Sequence, residues 1–190
     1  MAALLRPEYA MSSSNISLVL TAIGDDRPGL VEQLATAISR HQGNWLESSM
    51  SHLSGKFAGI VRVSVPGTQL EALKSALAEL TGLRVTSEAC EPSPSTETAA
   101  HTRRLKFSLV GHDRIGIVRE VSQVFARHEV NVEDLSTHTA SAPMSAEILF
   151  HATAALTASS TLDVGALTDD LESISNDLMV DITLDETIPT

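Results

Sequence analysis

Two short strings in this chain carry residue types that could do chemistry. Gly24-Asp25-Asp26-Arg27-Pro28-Gly29-Leu30-Val31 and Gly111-His112-Asp113-Arg114-Ile115-Gly116-Ile117-Val118 each set Asp-Arg-x-Gly ahead of an apolar helical pattern. Backbone amides at a helix start point outward and carry the positive end of its dipole. Those of Gly29, Leu30 and Val31, or of Gly116, Ile117 and Val118, therefore suit a carboxylate. Gly29 has no side chain, so another backbone or a ligand can come close. Asn44 and Asn131 each follow their helix by a short turn and enter the next strand near the same end of the sheet. A carboxamide both donates and accepts, which matches the ammonium and carboxylate of an amino acid. A purely architectural reading stands beside this one. In it, Asp25 or Asp26 caps the helix, Pro28 takes its opening position, and the asparagines end a helix or turn.

The two strings are copies. A shift of 87 positions superposes them and continues without a gap, placing Arg40-His41 on Arg127-His128, Asn44 on Asn131 and Ser49 on Ser136. Nine of the 26 positions from 24 to 49 are identical, too many for coincidence in a chain of this composition. Between the copies, Glu91 to Ala100 is polar with two prolines and reads as a linker. The expected organisation is a flexible N-terminus over 1–14, a first domain over 15–90, a linker over 91–101 and a second domain over 102–186.

The elements that must position these strings follow from periodicity. Ile16, Leu18, Leu20 and Ala22 alternate along a strand, as do Leu105, Phe107 and Leu109. Val31, Leu34, Ala35 and Ile38 then form a helical stripe, matched by Val118, Val121 and Phe125. Extended segments follow, with Phe57, Gly59, Val61, Val63 and Val65 alternating in one copy and Ala146, Ile148, Phe150 and Ala152 in the other. Leu70, Leu73, Leu77 and Leu80 mark a second helix, as do Leu167, Leu171, Ile174 and Leu178, the last at the border of the closing strand. Strands around 83–89 and 178–184 end each unit. The order βαββαβ predicts an α+β fold of two ferredoxin-like domains, each a four-stranded antiparallel sheet with both helices on one face. The other face, carrying Ser17, Val19, Thr21 and Ile23, stays open and favours pairing with the other copy or another chain.

Composition narrows the function. The net charge of −11 and aromatic content of 3% argue against direct nucleic-acid binding and against anionic membranes. A single cysteine, Cys90, suits a reducing compartment, so a cytoplasmic protein is expected. No catalytic signature appears, whether nucleophile elbow, phosphate loop, zinc helix or dinucleotide fingerprint. Asp181-Ile-Thr-Leu-Asp185 has the wrong order for a phosphatase aspartate motif and reads as the last strand. Seven histidines show no ligand spacing; His41 and His128 read as helix ends, and His112 stands in the second loop.

The paired strings, each with an Asn 13 residues past its Val, resemble the ACT domain, the regulatory module of amino-acid metabolism. The resemblance spans nearly all of the chain outside the first 14 residues and the linker. Gly43-Asn44-Trp45-Leu46-Glu47-Ser48 and Ser141-Ala142-Pro143-Met144-Ser145-Ala146 are similar, more narrowly, to tandem-ACT proteins related to the glycine cleavage system transcriptional repressor. The resemblance implies a ligand held where two ACT domains pair, between the loop and helix start of one and a strand of the other. Carried over by position, its binding residues are Asp26, Arg27, Gly29, Leu30 and Asn44, and likewise Asp113, Arg114, Gly116, Ile117 and Asn131. Ile115 in place of Pro28, His112 in place of Asp25, and Ala146 where a Gly is commoner all put the second site in question. What is implied is a noncatalytic sensor of a small amino acid such as glycine. It would need no cofactor, form a homodimer, and modulate a partner transcription factor. Two alternatives are a structural interaction module without a metabolite and a regulatory subunit of a metabolic enzyme.

Overall fold

The computed structural model describes residues 14–90, 102–142, 147–178 and 180–187. The N-terminal 1–13 segment, the linker and the Pro143-Met144-Ser145-Ala146 stretch lie outside the described residues. The chain divides into two compact units. The first runs β1 (Asn15–Asp25), α1 (Leu30–Arg40), β2 (Asn44–Leu53), β3 (Lys56–Pro66), α2 (Leu70–Ala78) and β4 (Leu83–Cys90). The second repeats it with β5 (Thr102–His112), α3 (Ile117–Arg127), β6 (Asn131–Ser141), β7 (Ile148–Ser159), α4 (Val164–Leu178) and β8 (Val180–Thr187). Sheet orders are β2-β3-β1-β4 and β6-β7-β5-β8, every pair antiparallel, which is the expected ferredoxin-like arrangement.

Alternation along β1 buries Leu18, Leu20 and Ala22 under the helices and leaves Ser17, Val19, Thr21 and Ile23 on the opposite face. Each unit has its own core. Leu18, Leu34, Val63 and Leu73 are fully buried in the first, and Val124 and Leu167 in the second. Duplication reaches into irregular detail. The register slips between Trp45 and Glu47 and again between Val132 and Asp134, an identical bulge 87 residues apart. The β2–β3 hairpin turns through Ser54 and Gly55, both at positive φ, as a tight two-residue turn of matching twist requires.

The helices correct two expectations. Their buried stripes run Leu30, Leu34, Ala37, Ile38 and Ile117, Val121, Val124, Phe125, beginning one residue earlier than the pattern suggested. Val31 and Val118 are consequently exposed at 46% and 43%. The cause is the cap: α1 and α3 open on Gly29 and Gly116, so Pro28 precedes the helix rather than starting it. Leu178 ends α4, and the closing strand starts at Val180. Ile148, expected inside, is 56% exposed, because β7 is entered there at the sheet's rim.

Candidate functional site

The first loop is held from three sides. Asp26 donates its amide to the Gly55 carbonyl at 2.9 Å, tying the loop to the β2–β3 turn. Asp25 is paired with Lys56, whose hydrogen bond and charge hold the Asp25 carboxyl below its ordinary range. Arg27 donates from its guanidinium to the Thr81 carbonyl and lies over Gly82, where a Cβ would fall 2.4 Å from the Arg27 nitrogen. Gly24 likewise allows the approach of the Gly82 carbonyl, 2.1 Å from where its Cβ would stand. The chain then turns into α1 through Gly29 at φ 91°, a left-handed conformation that L side chains rarely adopt. No side chain caps the helix, contrary to the expected role for Asp25 or Asp26. With the first helical bond made by Gln33 to Gly29, the amides of the first turn remain open toward the loop.

In the second unit the backbone is the same and the side chains differ. Gly116 stands at φ 97°, again with no side-chain cap, and Asp113 donates its amide to Ile148 at 3.1 Å. Arg114, however, turns to its own helix and pairs with Glu120 at 2.7 Å. The matching position in the first unit is Gln33, which is neutral, and the Arg27 guanidinium goes to the Thr81 carbonyl instead. His112 lies 3.9 Å from Glu147, and Ile115 is fully exposed. Leu30 and Ile117 point into their cores, at 2% and 3% exposure, so only their backbone amides face the loops.

Asn44 and Asn131 are exposed and occupy equivalent places, but they do not meet their own loops. Asn44 pairs with Ser64 and Ser64 with Ser17, whereas the loop leaves β1 at Asp25, eight residues farther, or about 27 Å. Asn131 pairs with Thr157 and Thr157 with Arg104, eight residues from His112. Each first helix carries the chain back along the sheet before the asparagine is reached. Nor do the asparagines stop those helices. Gln42 and Glu129, at φ 58° and 54°, form the left-handed stop, with Gly43 donating to Ile38 and Val130 to Phe125, both at 2.9 Å.

Two further features separate the units. Trp45 and Met50 pack against the first core, and their counterparts Val132 and Thr137 are smaller. An apolar cleft bounded by Ile117, Val118, Val132, Leu135 and Phe150 opens between α3 and β6 as a result. His128 and Arg127 converge on Asp170 at 3.0 and 3.4 Å, fastening the end of α3 to α4. Among the described residues no group of three or more metal-ligating side chains forms, and no helix is long and apolar enough to cross a membrane.

Residues 17–85 match the family model of the ACT domain. An unknown protein from Galdieria sulphuraria is similar over 92% of this chain and 100% of its own, with 29% identity and a TM-score of 0.77. A structure described as a "putative glycine cleavage system transcriptional repressor" matches over 92% and 99% with 20% identity and a TM-score of 0.67. At that identity the likeness speaks for the fold. None of the curated proteins compared matches the chain. The first repeat thus matches the ACT domain, and the chain as a whole carries a tandem ACT-like fold.

Proposed function

We propose that this protein is a noncatalytic sensor that binds a small amino acid, with glycine a leading candidate, and reports it to a partner protein. The observation that carries the reading is the pair of helix starts opened by left-handed Gly29 and Gly116 without side-chain caps. Uncapped first-turn amides suit the carboxylate of such a ligand. Gln42 and Glu129 already stop the helices, which removes the capping explanation for Asn44 and Asn131 and leaves their carboxamides free for recognition. Each asparagine sits a sheet length from its own loop, so a site using both fits the interface between paired ACT domains that the resemblance implies. In this account the first loop is the stronger site, since Arg27 lacks the carboxylate that neutralises Arg114.

The partner is taken to be a transcription factor, in keeping with the repressor-like structure of the same fold, and a net charge of −11 disfavours gripping DNA directly. A thermal-shift panel of the amino acids tests the ligand. Saturating ligand at 100 times its dissociation constant adds about 2.7 kcal/mol of stability, so a clear rise in Tm is expected with at least one small amino acid. Asn44→Ala should abolish most of that rise. A second reading, an interaction module without metabolite, draws on Val31, Leu46, Val118 and Leu135, apolar residues exposed on the first helices and edge strands. Under it no amino acid shifts Tm and Asn44→Ala leaves partner binding unchanged.

A further inference from the structure

One pair of side chains has no role in the proposed sensor. His138 on β6 and His151 on β7 stand directly opposite in the antiparallel register, on the open face of the second sheet. They are 13 residues apart in sequence, and only the strand register brings them together. Their imidazole rings stack with centroids 4.7 Å apart and planes within 3°. Neither ring makes a hydrogen bond or ion pair with a described residue, so all four nitrogens are available. The corresponding residues of the first unit, Ser51 and Ala58, carry no imidazole. The pair is therefore a property of the second unit alone.

We propose that His138 and His151 together bind a divalent transition-metal ion of the copper, nickel or zinc type. Imidazole nitrogens select such borderline ions over magnesium or calcium, which take hard oxygen donors. Two nitrogens each about 2.05 Å from a tetrahedral ion are about 3.4 Å apart. The ring planes lie within 3°, so their lone pairs run parallel, and the rings must turn about their side-chain torsions before two nitrogens converge on one ion. The second imidazole is already held beside the first, so it adds its affinity as an intramolecular ligand. Asp181 lies in the same row two strands from His151, roughly 10 Å away at ~4.8 Å per strand, and is too distant to complete the sphere. The remaining positions are open to water or to a small chelating molecule. The acidic chain as a whole attracts the cation.

The test is calorimetric titration of the full-length, untagged protein with copper(II), nickel(II) and zinc(II), with copper bound by two imidazoles identified by its electron paramagnetic resonance. One ion per chain is expected. His138→Phe and His151→Phe keep an aromatic pair and remove its nitrogens, and each should weaken binding roughly tenfold or more. His41→Ala and His52→Ala should leave it unchanged. Circular dichroism confirms that every variant is folded. Wild-type affinity in both Phe variants, or no binding by the wild type, overturns the proposal.

Discussion

Gly29 and Gly116 hold a backbone conformation near φ 90° that costs a residue with a Cβ about 1–2 kcal/mol. At Gly29 the space itself is open, the nearest atom to an added Cβ being the Gln33 amide nitrogen at 4.0 Å. Gly29→Ala should thus destabilise the first unit by about 1–2 kcal/mol through backbone strain, read by urea unfolding followed on Trp45. A loss below a few tenths would show that the loop relaxes to another conformation. Beside it, Lys56 depresses the Asp25 carboxyl below its ordinary 3.8. A carboxyl lowered on folding adds stability above its unfolded value and loses it as pH falls through the folded one, so this contribution is intact at neutral pH. Lys56→Met should move the Asp25 titration upward, measured by NMR on its side-chain carboxyl.

At the scale of elements, the duplicated order βαββαβ was readable from alternation and the 87-residue shift, because strands and helices impose different apolar periods. The buried stripes of α1 and α3 begin one residue earlier than the apolar pattern implies, at Leu30 and Ile117. Pro28 looked like an opening residue, but the left-handed glycine after it defines the cap and turns Val31 and Val118 outward. The distance between Asn44 and its loop was hidden, since spacing along the chain does not show that the helix returns down the sheet. The divergence of the two arginines was present in the aligned sequences as Gln33 against Glu120, yet its meaning needed the side-chain geometry. Between α3 and α4, the contacts of Asp170 with His128 and Arg127 are partly exposed. Asp170→Ala should cost the second unit about 1 kcal/mol in denaturant unfolding.

For the whole molecule, two ACT-fold units with the same backbone carry different loop chemistry. One loop sends its arginine to a backbone carbonyl; the other pairs its arginine with a glutamate of its own helix and has an apolar cleft nearby. Unequal sites are therefore expected, the first loop binding and the second differing in ligand or affinity. Isothermal titration of the full chain with the panel of small amino acids measures this directly. Saturable heat is expected for at least one of them, weakened by Gln33→Glu, which gives Arg27 the carboxylate partner that Arg114 has. No heat across the panel, or binding indifferent to Gln33→Glu and to Asn44→Ala, would contradict it.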